Sequence, residues 1–390
     1  MSLDRLQPGL VDTYAGPDQL RRDVGNGPVR SPAALLRWVR ALRAELPSSG
    51  LAADREAFLH AQLTAVEMTA RTLDGERVGF VAQVEAYFQV RPALGDVETY
   101  ASAHVELDLL LPGPGGLAER YAAYRARVSV PPERLAEVVR AVSALLRARA
   151  RRAVPMPAGE EVDYELVTGQ PWAGFNHGSG PLRSTVAVST DLPVGLGALP
   201  ALLAHEAYPG HHTERCRRQQ RLSVLPERAI CLLNTPENLL AEGLAELGLA
   251  GLDLLAWGAP MTELYAGLGL GYDGDLGERV ARAVAPLTAV RQDAALLLHD
   301  RGATLGQAQE HLARWALLPP ERVHQTLAFV THPLWRTYFS TYVEGERLVS
   351  AWLAARPARQ PVAGRFVRLL DEPLTPAGLR AELPLQLQLP

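Results

Sequence analysis

The chain has 390 residues, 47% of them hydrophobic and 21% charged, the profile of an ordinary globular protein long enough for one large core or two fused ones. Its formal net charge of −4 leaves no basic footprint, which argues against nucleic acid and against an anionic membrane surface as partners. The positive charge is all arginine, without a single lysine, and Ile230 is the sole isoleucine, a codon-biased composition whose Leu, Ala and Arg favour helix throughout.

Residues 1–10 carry Asp4, Arg5 and Pro8 and lack the apolar run of a signal peptide. No stretch approaches the ~20 apolar residues that span a bilayer. Two cysteines, Cys216 and Cys231, are too few for a disulfide framework and suit a reducing compartment. The expected location is cytoplasmic.

Segments 32–46, 54–73 and 132–152 place apolar residues at helical spacing, with arginines and glutamates opposite. The Gly/Pro cluster at 112–116 reads as a loop. Near 155 the texture changes. Segments 162–168, 171–176 and 182–190 alternate apolar and polar residues, with Gly178 and Gly180 between the last two, so a hairpin or small antiparallel sheet is expected. The loop-rich stretch 154–161 is the candidate boundary between an N-terminal helical part (1–154) and a metal-binding part (155–390), the two expected to behave as one cooperative unit. Helical patterning resumes near Leu199 and runs, with breaks, to about 355. Thr375-Pro376 opens a last short helix. The expected class is mainly α, multi-helical, with the small sheet preceding a metal-binding helix.

The densest chemistry lies in His205-Glu206-Ala207-Tyr208-Pro209-Gly210-His211-His212. Three imidazoles and a carboxylate behind the apolar run 199–204 are costly to bury without a purpose. A catalytic zinc takes neutral imidazoles, a carboxylate and one open position, and its water needs a base beside it. Glu206, next to a ligand but pointing elsewhere round the helix, fits the base. The usual zinc-peptidase spacing puts a second His four residues after the first. Here that position is Pro209, which cannot bind metal. Proline disfavours a helical Tyr208, and Gly210 permits an unusual backbone, so a break that returns His211 to the metal is expected. His212 stays open as a ligand or outer partner: in an unbroken helix it would share the face of His205, about 10 Å along the axis.

A third ligand must come from another element. Thr235-Pro236 is a well-formed helix start, and Glu242 and Glu246 lie four apart on one face of that helix. Two acids there call for a metal or for arginines such as Arg215, Arg217 or Arg218. Gly243 between them suggests close packing. Trp335, Tyr338, Phe339 and Tyr342 read as a core stripe at helical spacing.

His-Glu-x-x-Pro-Gly-His-His at 205–212, followed thirty residues later by Glu242-Gly243-Leu244-Ala245, resembles the DUF885 family (a domain-of-unknown-function family) of bacterial metallopeptidases. The resemblance extends to Ser189-Thr190-Asp191-Leu192-Pro193 and to Tyr342-Val343-Glu344-Gly345, covering roughly residues 160–350. It implies a gluzincin-like helical fold with one zinc ion held by His205, by His211 or His212, and by Glu242. It further implies Glu206 as general base for a metal-activated water, Tyr342 as a stabiliser of the oxyanion, and the strand at 185–190 as the element that binds substrate backbone. Glu246 is then an outer partner or a possible ligand. The chain departs from the family at His299-Asp300-Arg301-Gly302, where Asp-Thr-Gly-x-His is usual, and at Leu244, where Trp is usual, which marks a divergent member. The implied activity is hydrolysis of a peptide or small amide. The alternatives are a metal-binding scaffold without turnover and a hydrolase of small esters.

Overall fold

Helix-favouring composition sets the secondary structure: the protein is mainly α, 63% helical with 8% in strands. The computed structural model describes residues 2–25, 29–170, 172–252, 256–357 and 359–385. Five helices position the residues of interest: α1 (Leu135–Ala153), α2 (Leu199–Glu206), α3 (His211–Arg221), α4 (Pro236–Glu246) and α5 (Phe339–Ala354). The strands are β1 (Val11–Tyr14), β2 (Glu161–Val167), β3 (Gly174–Gly180), β4 (Arg183–Ser189) and β5 (Ile230–Leu232). No helix among the described residues is long and apolar enough to cross a membrane.

The chain divides into two units, each discontinuous in sequence. The first comprises Met1–Pro92, Arg215–Leu244 and Thr337–Pro390; the second comprises Ala93–Glu214 and Ala245–Arg336. The stretch at 154–161 therefore lies inside the second unit rather than at a border.

In the first unit, the segments expected to be helical form Pro32–Glu45 and Ala53–Leu73. Ser31 Oγ accepts from Ala34 N at 3.2 Å and Pro32 opens the helix, a standard N-terminal arrangement. Leu35 and Val39 pack with Val29 and Ala70 in a small core. β1 and β5 pair antiparallel, a ribbon that sequence patterning missed because strands of four and three residues are too short to show alternation. α4 meets α5 through glycines. A Cβ on Gly243 would stand 2.4 Å from the Gly345 carbonyl, and one on Gly345 would stand 2.6 Å from the Leu239 carbonyl oxygen.

The second unit holds two cores. In one, α1 turns Val138, Val139, Val142, Leu146 and Ala150 inward at helical spacing, against Val186 and Val188 of β4 and Leu199, Leu203 and Ala204 of α2. Each large apolar side chain fully buried there contributes roughly 1.5–3 kcal/mol. The other gathers Tyr100, Ala103 and Leu107 of the Val97–Leu110 helix with Val280, Leu287, Val290 and Leu312. Above the first core lies a sheet of order β2-β4-β3. The expected hairpin is β3–β4, antiparallel, but the sheet is mixed: β2 runs parallel to β4 from Glu161↔Arg183 to Val167↔Ser189. The antiparallel hairpin is present as expected, and the parallel β2 is added to it, consistent with the burial of β4. Val186, Ala187 and Val188 are inaccessible on both faces, so β4 takes the centre and the chain must pass over it from β2 to form the hairpin.

The glycine crossing yields a stability test. Adding a methyl at Gly345 presses on backbone that cannot swing aside, an overpacking cost of about 1–3 kcal/mol that outweighs the roughly 1 kcal/mol alanine gains in helix propensity. Gly345→Ala is expected to unfold at lower urea concentration than the wild type. An unchanged midpoint would mean that α4 and α5 separate without cost.

Candidate metal centre

Pro209 ends α2. It has no N–H to donate and disfavours a helical residue before it, and the Tyr208–Pro209 bond is cis. The backbone then resumes in a shifted register. Gly210 N donates to Ala204 O at 2.9 Å and Thr213 N to Ala207 O at 3.3 Å, each spanning six residues where a helix spans four. Two residues are thus looped out, and His211 stands where the fourth residue after His205 would stand in an unbroken helix. The glycine is required: a Cβ on Gly210 would fall 1.9 Å from the His205 carbonyl oxygen.

The consequence is a converging pair of imidazoles. His205 Nε2 and His211 Nε2 lie 3.1 Å apart, with the rings nearly perpendicular at 88°. Their other nitrogens face carboxylates: His205 Nδ1 is 3.3 Å from Glu246 Oε1, and His211 Nδ1 is 3.9 Å from Glu214 Oε2. Metal-bound histidines are held in this way, with the outer nitrogen turned to a carboxylate that fixes tautomer and ring orientation. Two nitrogens at zinc–nitrogen distances of 2.0–2.1 Å in a tetrahedral set stand roughly 3.3 Å apart. The pair fits a zinc ion on spacing and on donor chemistry. Both side chains stay partly open to solvent, 15% and 19%, which leaves access for water.

Glu206 ends α2 and is buried against the start of β3, where a Cβ on Gly174 would lie 3.2 Å from its Cγ. Its carbonyl oxygen accepts from Asn176 Nδ2 at 2.6 Å, which clamps the end of α2 to β3. His212 turns away from this pair. Its Nδ1 meets Ser184 Oγ at 2.8 Å and its Nε2 meets Glu160 Oε2 at 3.1 Å, both inside the second unit. Of the two histidines left open by the sequence, His211 is therefore the one set beside His205.

A residue that sequence reading misses is Glu160, in the loop-rich stretch expected to be a boundary. Its side chain is fully enclosed. Oε1 accepts from Arg147 Nε at 2.9 Å and from Arg151 Nη2 at 2.6 Å, and Oε2 accepts from Tyr208 OH at 2.6 Å. Glu160 lies in an irregular segment with no periodic pattern, so nothing in the sequence marks it. Tyr208, desolvated by burial and then held against that negative charge, has its pKa raised and keeps its proton.

In the first unit, Thr235 caps α4, accepting from Asn238 N at 3.3 Å. Tyr338 OH donates to Glu242 Oε1 at 2.7 Å and accepts from Asn238 Nδ2 at 3.2 Å. Burial, then the neighbouring Glu242 charge, push the Tyr338 pKa well up, which makes it a fixed donor to that carboxylate. Tyr342 is partly buried and sits edge-on to Tyr338, ring centroids 5.5 Å apart. Several other histidines serve local structure: His104 meets Trp315 O, His299 meets Val330 O, and His311 meets Asp293.

The strand expected to bind substrate, 185–190, is corrected in one respect. β4 is flanked by β2 and β3 along its length, so its backbone groups are already paired. β3, the strand against Glu206, is an edge strand.

The chain matches no protein-family model and no curated protein sequence. Among solved structures it is similar to a protein proposed to be a lipoprotein from Colwellia psychrerythraea, with TM-score 0.55 and 17% identity over 88% of this chain. It spans 65% of that protein, just under two thirds. A second, from Shewanella oneidensis and described as a proposed lipoprotein of unknown function, gives TM-score 0.53 and 14% identity, covering 90% of this chain and 72% of the other. These likenesses show a shared fold.

Glu160 makes the second unit sensitive to acid. Burial alone would raise its pKa, but His212, Tyr208, Arg147 and Arg151 outweigh burial and hold it at about 2, below the ordinary 4.5. A depressed carboxylate contributes stability that is present above its unfolded pKa and lost as pH falls through the folded one. Stability is expected to fall between pH 4.5 and about 2, and less steeply in Glu160→Gln, as followed by urea midpoints across that range. Parallel curves for the two proteins would remove Glu160 as a source of the acid loss.

Proposed function

We propose that the protein is a zinc-dependent hydrolase of peptide or amide bonds, a divergent member of the DUF885 family, with His205, His211 and Glu242 holding one ion. The observation that carries this reading is the pair of Nε2 atoms 3.1 Å apart, each ring backed by a carboxylate. Glu242 is the third ligand in this proposal because it precedes Glu246 by one turn of α4, on the same face, and Glu246 is the residue that reaches His205.

Zinc, when bound, supplies a water of lowered pKa and polarises a carbonyl group. The chain's own residues do the rest. Glu206, adjacent to His205 but on another side of the helix, accepts the proton of the attacking water and returns it to the leaving amine. Glu246 orients the His205 ring from its Nδ1 side, and the Glu214 charge lies near Nδ1 of His211, so that both Nε2 atoms turn to the ion. Tyr338 holds Glu242 in one orientation by donating to Oε1. Tyr342 donates to the oxyanion as the tetrahedral carbon forms. The open edge of β3 receives the substrate backbone as an added strand, in the role first expected of β4. We also place the protein in the cytoplasm, on its two buried cysteines, which a reducing compartment leaves as thiols.

Elemental mass spectrometry of purified protein is expected to find close to one zinc per chain, lost in His205→Ala and in Glu242→Ala. A wild type that takes up no zinc when supplied with it sinks the hydrolase reading. Glu206→Gln is expected to keep its zinc and to lose a factor of about 10²–10⁴ in turnover of a responsive peptide; normal turnover would remove Glu206 from the mechanism. Tyr342→Phe is expected to lower kcat with little change in KM, which a Michaelis series on the same peptide would check.

A further inference from the structure

The structure assigns Glu160 as a positioning residue for His211, a role that rests on the metal-site reading above. The loop that brings His211 to His205 is held at both of its ends by a single carboxylate oxygen. Glu160 Oε2 accepts from Tyr208 OH on the entry side, at 2.6 Å, and meets His212 Nε2 on the exit side, at 3.1 Å. His211 lies between these two anchors in the chain. The opposite nitrogen of His212 reaches Ser184 Oγ of β4 at 2.8 Å, so the exit anchor is tied to the central strand as well. Glu160 is in turn fixed from behind: Arg147 and Arg151 of α1 bond Oε1, and Arg147 Nη2 also donates to the Glu160 carbonyl oxygen at 2.6 Å. The chain of contact runs from α1 through one buried carboxylate to both flanks of the looped-out pair.

The clamp is built around an ion. Oε1 of Glu160 faces two guanidiniums, which can only donate, and Oε2 faces a phenol and an imidazole, which donate to the ionised carboxylate. An amide in its place loses the charge that all four donors share, and its N–H finds an acceptor only if Tyr208 and His212 reorient or change tautomer. Either change loosens the two anchors, and His211 moves with the loop they hold. Displacing a group that orients a metal ligand costs about 10–100-fold in metal affinity.

The test is zinc affinity, measured by competition with a chromophoric chelator, on wild type, Glu160→Gln and Asp293→Asn. Asp293 is the control: it is a buried carboxylate of the same unit that accepts from Tyr100 OH and Gly95 N and meets His311, remote in the chain from the metal motif. Both variants are expected to lose thermal stability. Only Glu160→Gln is expected to bind zinc about 10–100-fold more weakly. Should Glu160→Gln fail to fold, Tyr208→Phe removes one anchor while keeping the ring, and it is expected to weaken zinc binding in the same direction. Equal zinc affinity in wild type and in the anchor variant overturns the positioning role and leaves the metal site standing. Equal weakening in Asp293→Asn also overturns it, because any loss of stability would then suffice. A wild type that binds no zinc overturns this role together with the metal site.

Discussion

One backbone hydrogen bond governs the geometry around the histidines. Gly210 N reaches back six residues to Ala204 O, and with it the helical register is restored after an excursion of two residues. A side chain at 210 would collide with the His205 carbonyl, so the bond is open only to glycine. Proline at 209 makes the excursion necessary and glycine at 210 makes it possible. Without either, the imidazole six residues after His205 would lie far round the helix from it.

Around that bond the molecule uses one device repeatedly: a carboxylate behind an imidazole. Glu246 stands behind His205, Glu214 behind His211 and Glu160 behind His212. The three pairs differ in exposure, and the difference separates their roles. Glu246 is 35% exposed and Glu214 10%, whereas Glu160 is wholly enclosed and engages two arginines besides. The outer pairs flank rings whose Nε2 atoms converge. In the inner pair Glu160 takes Nε2 of His212 while Ser184 takes Nδ1, so this ring holds the backbone that carries it.

The sequence made much of this legible, and its silences have physical causes. Helices with a clear apolar stripe, such as Pro32–Glu45 and α1, stood where their periodicity put them, because burial of that stripe is what holds them. The break at Pro209 and the return of His211 were readable because proline and glycine constrain the backbone locally. The close approach at Gly243 was readable for the same reason, although its partner Gly345 was not. Glu160 was invisible: its importance comes from partners 9, 13, 48 and 52 residues away, and no local pattern encodes such a meeting. The parallel placement of β2 escaped for a related reason, since three alternating segments are compatible with several strand orders. Only the burial of β4 on both faces selects one. Tyr338 was read as part of an aromatic stripe, and its hydroxyl bond to Glu242 appears only once the helices cross.

The exposed edge of the mixed sheet carries a consequence for solubility. An unpaired strand is a template on which a second copy of the chain could add, and proteins blunt that hazard with short edges, bulges and unfavourable side chains. β3 has two of these features. Its register slips between Gly178 and Gly180, and its last four residues, His177-Gly178-Ser179-Gly180, are exposed and offer no apolar side chain. Three of its seven residues are glycine, so an incoming copy would gain backbone bonds but find few side chains to pack on. These features make the open edge a poor template for a second copy of the chain.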